Sequence, residues 1–480
     1  MRWWYLGLLI VIIPVAGYLQ NQIRGERELA RVLALWDAEG RWRWREVIAD
    51  RPAVADAENL SILITQMAST LKTSGMYLDP EMQLFESIMQ HPQHLLTTEQ
   101  ITVLQRRRKD AASFFEKLPR FRAMSGASRL QFQIKNNPWD TYVPIQEHRE
   151  TFNRFLDQFR LELTQGNQAN ALALMEDQIK VSRSLTHEPN LICYLVYLAT
   201  ESIAAQNVQH WLALSEPDDA SLQKMQQYFT VSEDNKHWRY VILSESGGLY
   251  DMLRCLQNDP SMLSKITPSP SGEWWSDPFN HFKYSVAKLQ LNSPRQTAAM
   301  MQWLFDGYQQ AEKPYAEQMA FLKQHVEKLQ QEKSYLPFTA KNLMSPAWQK
   351  VLQIRMRLAA QMRCVQIALA AERFRLANQR WPSSQEELVG KYLPKLLTDP
   401  YDDKPLRYKL LPDGVVIYSI GAQIPSIEKD DDGDVLMHED GSYPKDTGIR
   451  LWNVEQRRQP ARPKPKEEKA VELTVPVEEK

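Results

Sequence analysis

Between Trp3 and Leu19 the chain runs WWYLGLLIVIIPVAGYL without one charged side chain. In hydrocarbon every backbone N–H and C=O has to be satisfied within the segment, so such a run can cross a bilayer only as a helix. Its roughly 17 residues, at about 1.5 Å each, reach about 25 Å, the short end of what spans a membrane. Trp3, Trp4 and Tyr5 at one end and Tyr18 at the other match interfacial aromatic belts, and Pro14 is tolerated in such a helix. The run reads as an uncleaved anchor over 1–22 that meets the lipid bilayer through residues 3–19. The rival reading is a cleaved signal peptide. Against it stand an n-region of only Met1 and Arg2 and, in Val15, Ala16 and Gly17, a poor substitute for an A-x-A cleavage site. Arg2 lies on one side of the run and Arg24, Arg27 and Arg31 on the other, so the positive-inside rule leaves orientation open.

Behind the anchor the composition favours helices. Glycine is scarce, at 17 of 480 residues, while the long apolar runs are rich in Leu, Ala, Gln, Glu and Arg. A formal net charge of −1 gives no global field for nucleic acid, and none is expected as a partner. Leu29, Val32, Leu33 and Trp36 recur at helical spacing before Gly40. Trp42 and Trp44, two apart, cannot share a helix face and read as packing residues among solvated arginines. QRRRKD, Gln105 to Asp110, reads as a solvated helix face. From His148 to Leu214 three amphipathic runs are split at Gln165-Gly166-Asn167 and at Glu188-Pro189-Asn190. Leu161, Ala169, Leu172, Met175 and Ile179 offer an apolar seam, in the manner of an α-hairpin, tetratricopeptide-like array. Cys193, Cys255 and Cys364 are far apart and read as small buried apolar residues rather than a disulfide framework.

The last long helix carries Val351, Ile354, Leu358, Met362, Val365, Leu369 and Leu376 and ends at Trp381-Pro382. A short helix follows, with Ser384 and Glu387 as a capping box. PLRYKLLPDGVVIYSIG then reads as two strands joined through Leu411-Pro412-Asp413-Gly414. This order (R-W-P, a short helix, YLPKLLTDPYDDKPLRY, a strand, YSIG, an acidic loop and a closing IRLW) resembles the C-terminal domain of type II secretion major pseudopilins. The resemblance covers about Gln353 to Trp452. The whole chain also resembles uncharacterised membrane-anchored exported proteins of bacteria, which implies an extracytoplasmic body. MRWWYLGLLI lacks the processed N-terminus of pseudopilins, and Ala422-Gln423-Ile424 stands where that family commonly has Asp-Gly.

The acidic loop EKDDDGDVLMHEDG is the one stretch with a ligand-like pattern. Glu428, Asp430 and Asp432 fall at positions one, three and five of an EF-hand loop, Gly433 at six and Glu439 at twelve, with Asp434 between. Gly421, Pro425, Gly441 and Pro444 exclude flanking EF-hand helices. Two readings stand: a structural calcium loop with Glu428, Asp430, Asp432, Asp434 and Glu439 as ligands, and a solvated acidic turn. Catalytic patterns are not found. HPQH, with His91 and His94, reads as a helix-end pair, and SESGGLYD, with Ser244 and Ser246, lacks G-x-S-x-G spacing.

The expected fold class is therefore mainly α: an N-terminal transmembrane helix, an α-hairpin body and a small α+β C-terminal module with a β-hairpin. The expected boundaries are an anchor over 1–22, a helical region over 23–135, the hairpin array over 146–257 and a Pro/Ser-rich loop over 258–282. A second helical region over 283–345, the α+β module over 346–455 and a disordered tail over 456–480 complete the chain. The expected role is a single-pass cell-membrane protein that scaffolds or binds an unidentified protein partner and is not an enzyme. The alternatives are an envelope hydrolase with a site assembled from distant helices, and a secretion-system accessory protein.

Overall fold

A computed structural model describes residues 2–71, 92–134, 141–230, 235–258, 293–331, 340–421 and 447–461. The protein is mainly helical with one small three-stranded antiparallel sheet. Helix α1 (Arg2–Ala38) is continuous from the apolar run into the body. It is followed by α2 (Trp44–Ala49), α3 (Leu60–Ala68), α4 (Thr98–Asp110), α5 (Ala112–Phe115) and α6 (Leu118–Ala123). Next come α7 (Gln146–Gln165), α8 (Gln168–Arg183), α9 (Leu191–Leu214), α10 (Asp219–Phe229) and α11 (Asn235–Asn258). The set closes with α12 (Pro294–Gln310), α13 (Tyr315–Gln331), α14 (Ala340–Asn378) and strands β1 (Arg407–Leu411), β2 (Gly414–Tyr418) and β3 (Gly448–Trp452).

The sharp break between α7 and α8 has a local cause. Gly166 takes φ +82°, its N–H donates to the Leu163 carbonyl at 3.1 Å, and the Asn167 N–H donates to the Glu162 carbonyl at 2.9 Å. This is a Schellman ending, and a left-handed residue at that place favours glycine. Of the expected apolar seam, Met175 and Ile179 are buried in the core with Phe152, Phe155 and Phe159 of α7, and Leu172 packs against it, while Ala169 is exposed and Leu161 turns to a separate cluster with Leu96 and Leu104. At the start of α9 the Asn190 side chain accepts from the Ile192 and Cys193 backbone N–H groups, a side-chain cap.

Two large hydrophobic clusters fill most of the body. One joins α3, α5 to α10, the second half of α14 and the sheet; the other joins the C-terminal half of α1, Trp42, Tyr194 and Leu198 of α9, α11, α12, α13 and the first half of α14. Helices α9 and α14 serve both. Between Cys364 and Glu372 α14 is buried on nearly every side, while Ile354, counted in its apolar stripe, is 44% exposed. Helix α9 is likewise internal, packed on α7, α8, α11, α14 and β3 and carrying buried Glu201, Asn207, Gln209 and His210. By length and composition its stretch Leu191–Leu214 could cross a membrane, yet half of that stretch is buried in protein.

The second half of α1 docks on α12. Trp36 is fully buried, donates from Nε1 to the Met301 carbonyl at 3.1 Å and stacks on Trp42 at 5.5 Å. Trp42 and Trp44 are both buried, while Arg41 stays at the surface paired with Asp50. In α4, by contrast, QRRRKD is not wholly solvated: Arg107 is buried against Asp157, Nε to Oδ2 at 2.8 Å.

The C-terminal strands are embedded in the helices. Leu411 pairs with Gly414 across a two-residue turn, and Val416 of β2 faces Arg450 of β3. Every residue of β2 and β3 is buried, against α14 and α9, and the Arg450 backbone N–H donates to Gln209 of α9 at 2.7 Å. The expected short helix is a 3-10 turn, Gln385–Leu388, with no cap from the Ser384 side chain; Ser383 bonds Glu387 instead. The stretch expected to be disordered from Gln456 is built into the body as far as Ala461. Arg457 is buried on Glu372, and Arg458 donates to the Leu163, Thr164 and Leu214 carbonyls at the ends of α7 and α9. Open carbonyls at helix C-termini attract cations, so these two arginines close a junction that composition alone reads as solvated tail.

Candidate functional site

Helices α9 and α14 leave a cavity of about 750 Å³ between them, where the two hydrophobic clusters meet. One wall is the α9 face bearing Tyr194, Tyr197 and Glu201; the other is the α14 face bearing Arg355, Ala359, Met362 and Arg363. Both sets recur at three- and four-residue steps, which puts them on single helix faces. Arg183 from the end of α8, Tyr315 from the start of α13 and Lys395 to Thr398 close the sides.

Arg355 is 3% exposed. Its Nη1 donates to Gln318 Oε1 at 3.0 Å and its Nη2 to Asn235 Oδ1 at 2.8 Å. The guanidinium carbon lies 5.0 Å from the Trp238 ring and 5.3 Å from that of Tyr315. Both polar partners are neutral amides, and among the described residues no carboxylate forms an ion pair with Arg355. The charge is held by dipoles and π faces alone.

Glu201 is 1% exposed and its Oε1 has no hydrogen-bond partner. Burial raises its carboxyl above the ordinary range; the Arg183 charge and a bond from Ser182 act in the opposite direction. Arg183 itself donates to the Tyr228 carbonyl, and Arg363 donates to the Thr398 carbonyl at 2.5 Å. Among the described residues the lining sets the cations Arg183, Arg355, Arg363 and Lys395 against the carboxyl of Glu201, with Asp399 and Asp403 acting on Arg363 from outside it. Chemically this suits reception of negative charge.

A second cavity, about 440 Å³, lies beside Arg51, Arg129 and Phe132. Its buried charges are matched. Arg51 bonds Glu188, Nη1 to Oε2 at 2.5 Å, and Glu188 also accepts from the Leu130 N–H at 2.6 Å.

The residues singled out from sequence lie elsewhere. Glu428, Asp430, Asp432, Asp434 and Glu439 fall outside the described residues, as does His91. Among the described residues no group of three or more His, Cys, Asp or Glu is placed to hold a metal ion. His94 is taken up at the chain's end, Nδ1 to the Pro460 carbonyl at 2.6 Å. Ser244 and Ser246 are buried inside α11, and the adjoining Gly247 is needed for packing, since a Cβ there would lie 2.2 Å from the Trp42 carbonyl oxygen. All three cysteines are unpaired; burial raises the thiols of Cys193 and Cys364.

In TDPYDDKPLRY, Asp399 is fully buried and accepts from Tyr401 N, Ser419 Oγ, Ile420 N and Arg407. Arg407 also bridges Asp402 at 2.8 Å, so an arginine supplies the positive charge to this turn.

Sequence reasoning missed Glu201, Arg183 and Arg355. The available signal was a lone acid in the apolar run YLVYLATESIAA, and arginines spaced by eight along α14. Compared with known proteins, the chain matches no family model, no curated protein and no solved structure.

Proposed function

We propose that this is a single-pass membrane-anchored protein whose helical body, outside the cytoplasm, receives a partner or ligand in the cavity between α9 and α14. One observation carries the reading: a buried arginine that has no acidic partner among the described residues and a buried carboxyl with an unmatched oxygen there face the same cavity. Leaving such groups without matching partners is costly, and an incoming group is what relieves it.

Binding is favoured over hydrolysis by the kind of groups brought together. A glycosidase-type site sets two carboxyls against each other, and a nucleophile needs a base within hydrogen-bond reach. Here the one carboxyl is set among arginines and tyrosines. The uncharged Trp3–Leu19 run supports the anchor, and the pseudopilin-like order of Gln353 to Trp452 supports the extracytoplasmic side. The successive hairpins of α7, α8 and α9 serve as the tetratricopeptide-like scaffold. Calcium on Glu428, Asp430, Asp432, Asp434 and Glu439 belongs to the same reading as a structural ion. Calcium titration of the full chain is expected to raise its melting temperature, and no shift at millimolar calcium would remove the ion from the proposal.

The test is mild crosslinking in intact membranes followed by pull-down, with protease accessibility scored on the same sample. Wild type is compared with Ala359→Phe, which fills the cavity. The expected result is digestion of the body by protease added to sealed, right-side-out spheroplasts, and a crosslinked species that Ala359→Phe loses while its melting profile persists. A crosslinked set unchanged by Ala359→Phe would take the cavity out of the function. Turnover of an ester or peptide substrate abolished by Ala359→Phe would replace binding with catalysis.

A further inference from the structure

We infer that the cavity between α9 and α14 takes an amphipathic organic anion, its carboxylate or phosphate seated on Arg355 and its apolar body along Leu358, Met362 and Leu397. The inference rests on the ligand-receiving reading above and adds the chemical class.

Three observations lead to it. Arg355 has five N–H donors, and its two hydrogen bonds to Gln318 and Asn235 use two of them. The remaining donors keep the fork that matches a carboxylate or phosphate. Next, the groups at the two ends of the cleft differ. Arg355 shares its end with Tyr315, its guanidinium carbon 5.3 Å from that ring, whereas Glu201 and Arg183 interact near the contact of Ser202 with Gln361 at 2.7 Å. From Arg355 to Arg363 the α14 wall rises about 12 Å at ~1.5 Å per residue. Finally, Leu198, Leu358, Met362 and Leu397 give the lining an apolar part, and the volume of about 750 Å³ lies in the range of small-molecule sites. A bare inorganic anion would satisfy Arg355 and leave that surface empty; a neutral apolar molecule would fill it and leave the guanidinium without a counter-charge.

Glu201 faces the Arg183 charge, and burial shifts its carboxyl toward the neutral form, which lessens its opposition to an anion.

The experiment uses the full chain in a neutral detergent, with calorimetric titration and thermal shift as readouts. The probes are phenylbutyrate and octyl phosphate as anions with a body, phenylbutyramide as the uncharged counterpart, and acetate and inorganic phosphate as anions without one. Binding is expected for one or both of the first pair, weakened at least about tenfold by amidation, by removing the body and by Arg355→Gln. Should Arg355→Gln fail to fold, Ala359→Phe is expected to abolish binding. Equal binding of phenylbutyrate and its amide, anion binding that survives both Arg355→Gln and Ala359→Phe, or no binding of either anion at millimolar concentration would overturn the inference. In each of those cases an Ala359→Phe-sensitive crosslink in membranes would leave the broader ligand-receiving reading standing, and its absence would remove both.

Discussion

Two regions of this protein bury charge in opposite ways. Where the Leu130 segment meets the turn before α9, Arg51 and Glu188 lie together, each nearly without exposure, and the Leu130 N–H completes the carboxylate's bonding. Where α9 meets α14, Arg355 is held by neutral amides and Glu201 keeps an unpaired oxygen. The first region closes on itself. The second is electrostatically unfinished, and it also holds the larger cavity. On the proposed reading, what the first region matches from within, the second leaves to an incoming group.

Substitution at the matched pair gives the largest expected effect. Arg51→Met strands Glu188 and should cost about 3–5 kcal/mol in denaturant unfolding, with the Arg51→Met/Glu188→Met double variant recovering much of it. A loss under about 1 kcal/mol would erase the contrast between the regions.

Smaller is the acid response of two buried histidines. Burial lowers His148 from 6.5 to about 4, and burial with the Arg160 charge lowers His210 from 6.5 to about 3. The unfolded chain takes up these protons near pH 6.5 and the folded chain does not, so the stability they contribute is complete above that value and falls as pH drops toward the folded values. By about pH 5 the loss should reach ~2 kcal/mol for each, and His210→Phe should remove one share of the slope in melting temperature against pH.

Smallest is Glu201→Gln. A raised carboxyl contributes stability below its unfolded value and loses it as pH rises through the folded one. The glutamine variant should therefore lie within about 1 kcal/mol of wild type in acid and gain on it as pH increases. A large loss at every pH would place Glu201 among the matched charges and sharpen the contrast against the cavity.

Much of the architecture was legible because it is written locally. The Gly166 break, the Asn190 start and the Pro412-Asp413 turn each rest on residues next to one another, as does the spacing of Val32 and Trp36 on α1. What stayed hidden depends on distant partners. Arg107 looked solvated within QRRRKD because Asp157 is fifty residues away. Arg355 sits in QIRMRLAAQMR, where alternating arginines imitate an exposed stripe; only the arrival of α11 and α13 buries it. For the candidate site the legible part was nil, since Glu201 and Arg355 come from different helices and carry no spacing in common.

The clasp made by Arg457 and Arg458 has a consequence for the order of events during synthesis. The carbonyl ends of α7 and α9 wait for a donor encoded 295 residues after Leu163 and 244 after Leu214. Nascent chain emerging from the ribosome therefore holds an open seam through most of translation, and sealing waits for Arg457 and Arg458. Truncation just before residue 457 would leave nearly every element present and the assembly unlocked.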